Sequence, residues 1–190
     1  MSEAATDPAA PAAPPARKEC FQSAGLLVLR VATGLGMTYH GFGKVFGFQM
    51  MPDGSTVHFV TMFSQHIAGM GLPAPYLMAW MAALSEFLGG ILLIMGLGTR
   101  AAALFVAGTM TVAALGAHKA LHQLAASIGI LAVDPAIREK WGNPELALAY
   151  LFASLALVLL GGGKISLDAR LFTKCPMTTG PSKKSDTPKA

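Results

Sequence analysis

Four long apolar stretches, separated by polar or glycine-rich breaks, set the pattern of this chain. The first runs from about Ser23 to Gly43 and the second from about Ala74 to Gly96, with one charge inside it. The third covers Ala101 to Ala117 and the fourth Leu146 to Gly163. A helix crosses a bilayer with about 20 mostly apolar residues, and each stretch comes close to that length. Only "LGTR" separates the second from the third, so these two are predicted to form a tight antiparallel hairpin. The pattern predicts an all-α membrane protein: a compact left-handed four-transmembrane-helix bundle over residues 20–172, with tails at 1–19 and 173–190. Both tails are rich in Ala, Pro, Ser or Lys, cannot bury a core, and are expected to be disordered.

Composition supports a membrane. Charged residues make up 13% of the chain, about half the roughly 25% of a soluble domain, and the mean hydropathy is +0.53. The net charge of +4 does not point to nucleic acid, because the bases are spread thinly and form no patch interleaved with aromatics. They read as membrane-flanking charge. Four spans put both termini on one side, and that side collects nine lysines and arginines, against four (Lys44, Lys119, Arg138 and Lys140) on the other. The positive-inside rule then predicts a multi-pass protein of the cell (inner or plasma) membrane with both termini cytoplasmic. The opening residues lack a positive segment followed by an apolar one, so they do not read as a signal peptide. Cys20 and Cys175 would both face the reducing side, as free thiols.

Two charges interrupt the apolar stretches. Glu86 lies near the middle of the second, on a face with Ala79, Ala82, Ala83, Gly89 and Gly90. That small-residue face suits helix packing, so Glu86 is expected to point into the bundle. Ala103 and Ala107 in the third stretch, and Ala149 and Ala153 in the fourth, have the same close-packing spacing. Arg30 lies in the first stretch on a strip with Thr33, Gly34, Met37, Gly41 and Lys44. Depths counted from the cytoplasmic ends make Arg30 the predicted partner of Glu86, as an intramembrane polar pair. Such a pair is either a register lock or a polar site for a head group or for protons. Tyr39, His40, Lys44, His118 and His122 are expected at the outer interface, where amphipathic side chains sit well.

These residues resemble the DoxX family of small membrane proteins, over about residues 24 to 171. The motifs run in order: Arg30, then Gly41-x-Gly43-Lys44, Gly71-Leu72-Pro73, "EFLGG" (Glu86 to Gly90), "GLGTR" (Gly96 to Arg100), His118, and "GGGKISLDAR" (Gly161 to Arg170). The resemblance implies a four-helix membrane bundle, an accessory subunit of a quinone-linked respiratory or redox complex. It would carry no prosthetic group of its own, with a quinone as candidate ligand and a redox protein or a second copy as partner. The tails and the segments Phe48–Met70 and Lys119–Asn143 are long against the compact family pattern. A non-enzymatic scaffold, an assembly factor or a small-solute permease is the alternative.

Other motifs carry less. His118-x-x-x-His122 has metal-ligand spacing only if the third helix continues, and Lys119 between the two disfavours a cation, so no metal is assigned. The eleven methionines read as core filler. "GLGTR" and "GGGK" lack the phosphate-loop pattern and are expected to be turns. Ser166 or Asp168 is placed to cap a short interfacial helix.

Overall fold

The computed structural model describes residues 16–172. Most of these are helical: α1 (Ala16–Phe46), α2 (Phe59–Gly69), α3 (Pro75–Met95), α4 (Thr99–Thr111), α5 (Ala120–Ser127), α6 (Pro135–Lys140), α7 (Glu145–Leu160) and α8 (Leu167–Phe172). A π-helical turn, Val112–Ala117, prolongs α4, and a short antiparallel hairpin pairs β1 (Phe48–Met50) with β2 (Thr56–His58). The two tails expected to be disordered lie outside the described residues, except that α1 already begins at Ala16.

Two helices are long and apolar enough to cross a membrane, Pro75–Met95 and Thr99–Ala117. The helix α7 is equally apolar but has 16 residues, about 24 Å of rise against a hydrocarbon core of about 30 Å. The helix α1 has 31 residues, but Arg30, its glycines and the polar run around Thr38, Tyr39 and His40 dilute its apolar stretch. Gly96 and Gly98, both at positive φ, turn α3 directly into α4. The expected hairpin is therefore present.

The closest packing lies between α1 and α3, where glycines let the backbones meet. A Cβ on Gly34 would stand 2.7 Å from the Gly90 carbonyl oxygen, and one on Gly41 would stand 2.6 Å from the Phe87 Cα. These contacts set an antiparallel register with Gly41 opposite Phe87, Gly34 opposite Ile94 and Arg30 beside Gly96. Leu93 of α3 joins Met37 of α1, Ala102, Ala103, Val106 and Met110 of α4 and Leu157 of α7 in one shared core. The helix α7 buries Ala147, Ser154 and Leu157, and its Ala149 is exposed rather than packed. Large apolar side chains point outward on every long helix, including Leu35, Leu88, Leu104, Phe105, Phe152 and Leu159. A soluble protein rarely shows so much apolar surface, whereas a bilayer covers it.

The segment Phe48–Met70 is the β-hairpin followed by α2, which packs on α3 through Val60, Ile67, Ala79 and Ala83. His58 fixes this addition. Its Nδ1 accepts from the Val60 N–H (3.2 Å), leaving Nε2 to donate to the Val45 carbonyl (3.0 Å), and its ring stacks on Trp80.

Candidate functional site

Arg30 and Glu86 are both buried, with 2% and 1% of their surface exposed, but they do not meet. Glu86 pairs with Lys44, whose Nζ lies 2.6 and 2.7 Å from the two carboxylate oxygens. Arg30 donates instead to two backbone carbonyls, Gly162 (2.6 Å) and Ile165 (2.8 Å). The expected Arg30–Glu86 pair is therefore corrected, and register is the physical cause. With Gly41 opposite Phe87, the residue level with Glu86 is Lys44, while Arg30 sits some 14 residues, about 21 Å, further along α1.

Lys44 occupies the last turn of α1 and keeps 20% of its side chain exposed, while the Glu86 side chain keeps 1%. Its ammonium also lies 4.6 Å from the centre of the Phe63 ring, on the face of which a cation is attracted by the π-electrons. The pair is compact and neutral overall. It retains both polarities, because the ammonium carries a third hydrogen and the carboxylate has further lone pairs.

This pair stands in the wall of a partly open cavity of about 590 Å³, bordered by α1, α2, α3, α4, the π-helical turn and α7. That volume falls in the range of small-molecule sites, which are typically apolar clefts holding a few convergent polar groups. Besides Lys44 and Glu86, the lining includes His40, His66, His118, Ser85, Thr109 and Tyr150. The His40 ring meets Tyr150 edge-on at 6.0 Å, and the Ser85 and Thr109 hydroxyls share a hydrogen bond of 2.8 Å. Five of the eleven methionines, Met37, Met70, Met78, Met81 and Met110, line the same space. Reading them one by one as core filler missed this gathering. Unbranched thioethers give the cavity a wall that adapts to its contents.

The five residues expected as one outer-interface cluster divide. His40, Lys44 and His118 reach the cavity, but Tyr39 is 80% exposed and His122 is exposed, and neither lines it. The π-helical turn ends at His118, and Lys119 adopts a left-handed conformation (φ 50°) before α5 begins. His118 and His122 therefore do not share one continuous helix. His118 hydrogen-bonds the Trp141 carbonyl (2.8 Å) through Nδ1, and His122 lies edge-on to the Trp141 ring. Among the described residues no three His, Cys, Asp or Glu side chains converge as metal ligands.

Arg30 belongs to a second construction at the opposite end of the long helices. Its fork holds the loop after α7, while Asp168 accepts from the Gly98 and Thr99 N–H groups (2.7 and 2.9 Å) at the start of α4. The cap of α8 is Ser166, whose Oγ accepts from the Ala169 N–H (3.1 Å); Asp168 caps α4. Partial burial pushes the Asp168 carboxyl up, but the Thr99 and Gly98 hydrogen bonds and the nearby Arg30 charge outweigh it and hold it below the usual carboxylate range. "GLGTR" and "GGGKISLDAR" are thus two halves of one clasp.

A buried ion pair facing a partly open cavity, in a mainly helical and outwardly apolar structure, defines a helical membrane protein with a candidate small-molecule site. The chain belongs to the DoxX family, whose profile matches residues 25–119. It is 34% identical to "Inner membrane protein YphA" of Escherichia coli (strain K12), over 76% of this chain and 89% of that protein. It is 30% identical to "Putative oxidoreductase CatD" of Bacillus subtilis (strain 168), over 78% of this chain and 87% of that one. No solved structure matches.

Proposed function

We propose that this DoxX-family protein crosses the cell's inner membrane with α1, α3, α4 and α7, both termini cytoplasmic, and serves a quinone-linked redox system. In this reading it is an accessory subunit that holds the ligand for a partner and carries no redox group of its own. The observation that carries the reading is the Lys44–Glu86 pair in the wall of an otherwise mostly apolar cavity of about 590 Å³. A quinone offers carbonyls that accept from an ammonium, and its quinol offers hydroxyls that donate to a carboxylate. A neutral ion pair supplies both partners without adding net charge inside the membrane. The methionine-lined wall suits a flat ring. The word oxidoreductase in the name of the Bacillus subtilis relative agrees with a redox setting.

Gentle purification from native membranes followed by quinone quantification tests the reading. Wild type should carry quinone, and the Lys44→Met, Glu86→Leu double variant should fold yet carry much less. Equal, near-zero quinone in both removes the quinone from the proposal and leaves a structural ion pair.

A further inference from the structure

A second hollow adjoins the cavity. It has a volume of about 540 Å³ and lies in the seam between α3 and α4, and the two share Met81, Ser85 and Phe105 in their linings. The second hollow runs from this junction toward the Leu97–Gly98 turn, over roughly 15 Å of α3. Ser85 is the one lining residue with a polar side chain, and its hydroxyl is already bonded to Thr109. Small residues form much of the groove. Gly89 and Ala101 leave the space between Leu88 and Leu92 on α3 and Phe105 on α4.

The junction faces outward. Phe105 is 65% exposed and Met81 57% exposed, both mid-helix on the apolar outer surface. An opening there admits molecules from the lipid phase, not from water. We infer that cavity and groove are one site for an amphiphile with a compact hydrogen-bonding head and a single long apolar chain. The head lies against Lys44 and Glu86. The chain leaves between Met81 and Phe105 and lies along the α3–α4 groove. The occupant of the groove is then the chain of the cavity's own ligand, because the two spaces adjoin at Met81, Ser85 and Phe105 and because the groove offers almost nothing to a polar group. The inference rests on the reading of the cavity as a head-group site and adds the chain and the lateral route.

A chain in the groove gains little hydrophobic free energy over a chain in lipid, since both surroundings are apolar. Position, not affinity, is therefore the quantity to measure. The full-length protein is placed in phosphatidylcholine–phosphatidylglycerol vesicles with a benzoquinone bearing an alkyl chain that ends in a diazirine. It is then illuminated, and the labelled residues are identified by mass spectrometry. Labelling should concentrate on Leu88, Leu92, Leu97 and Ala101. Excess chainless benzoquinone should displace it in wild type, and Lys44→Met should reduce it about tenfold, the scale of one lost charge-assisted hydrogen bond. Labels spread equally over Leu35 and Leu159, or groove labels indifferent to the chainless competitor, would mean that ordinary bilayer lipid fills the groove and would overturn the inference. Equilibrium dialysis of the chainless compound separates the two levels. Its failure to bind defeats the head-group reading and this inference together, whereas its binding without groove labelling defeats only the inference.

Discussion

A single methyl group at Gly41 should pry apart the two helices that build the site. The Cβ of Gly41→Ala would lie 2.6 Å from the Phe87 Cα and 2.8 Å from its Cβ, where ordinary contact begins at 3.4 Å. Relief from the Cα alone needs about 0.8 Å of separation, the difference between 3.4 and 2.6 Å, and the still closer Phe87 backbone nitrogen demands more. The obstacle is main chain, so no side-chain rotation can provide it. Lys44 lies one turn after Gly41 and Glu86 directly before Phe87, so the same displacement would lengthen the 2.6 and 2.7 Å ion pair to about 3.4–3.5 Å or more, beyond the roughly 2.7–3.2 Å of a good N–H···O bond. Overpacking alone costs about 1–3 kcal/mol, and stranding the buried carboxylate would add to it. Gly43→Ala is the control. It sits on the same helix with nothing within 4 Å of its Cβ, and alanine in a helix interior is favoured over glycine by roughly 0.5–1 kcal/mol. Thermal unfolding in mild detergent should show Gly41→Ala well below wild type and Gly43→Ala at or above it. Equal midpoints for the two variants would refute the α1–α3 register, and with it the reason for pairing Glu86 with Lys44.

Lys44→Met, which strands Glu86 at 1% exposure, should destabilise by about 3–5 kcal/mol, while Glu86→Leu leaves a 20% exposed ammonium beside the cavity and should cost less. Chemical unfolding of both and of the double variant checks this, and a double variant no better than Lys44→Met contradicts it. Arg30→Lys keeps the charge but cannot span the Gly162 and Ile165 carbonyls, so protease cleavage after α7 should accelerate. The depressed Asp168 carboxyl contributes stability that is present above its unfolded value of about 3.9 and is lost as pH falls through its lower folded value. Melting followed from neutral pH to about pH 3 should therefore show an acid loss that Asp168→Asn diminishes. Reporter fusions at Lys189 and at Asn143 should report opposite compartments, with Lys189 cytoplasmic, and an external Lys189 would reverse the proposed topology.

The helical segments were largely legible in the hydropathy pattern. The stretches expected at 74–96 and 101–117 coincide with Pro75–Met95 and Thr99–Ala117, because contiguous apolar residues ending in Gly-rich turns leave little choice of boundary. The face of Glu86 was legible too, since helical periodicity alone sets Ala79, Ala83, Gly89 and Gly90 beside it, and all are buried. The pairing of charges was not. It depends on where α1 and α3 cross, and the crossing is set by glycine contacts that no single helix reveals. Lys44 already stood on the Arg30 strip with Gly41, and that alignment was the available signal. The condition for setting His118 and His122 on one face, a third helix that continues, is not met, and nothing in "LGAHKAL" announces a π-helical turn followed by a left-handed lysine. The gathering of five methionines around one cavity comes from three helices and a loop, and periodicity along any one of them cannot show it.

One strip of α1 thus meets the cost of a buried cation in two different ways, and the difference assigns their roles. Arg30 is a rigid planar fork, and it is spent on two fixed carbonyls of the loop that Asp168 also ties to α4. Those contacts tie the middle of α1 to the end of α7 and the start of α4, and of the fork only the buried Nε has no hydrogen-bond partner. Lys44 is a compact charge on a flexible stem, partly exposed, with both of its hydrogen bonds to one carboxylate and a cavity in front of it. An incoming hydrogen-bonding group can share that ammonium without breaking the link between α1 and α3. The family motifs Gly41-x-Gly43-Lys44 and "EFLGG" then describe one object. Gly41 and Gly90 bring the two backbones together, and that approach is what allows Lys44 to reach Glu86 at the wall of the cavity.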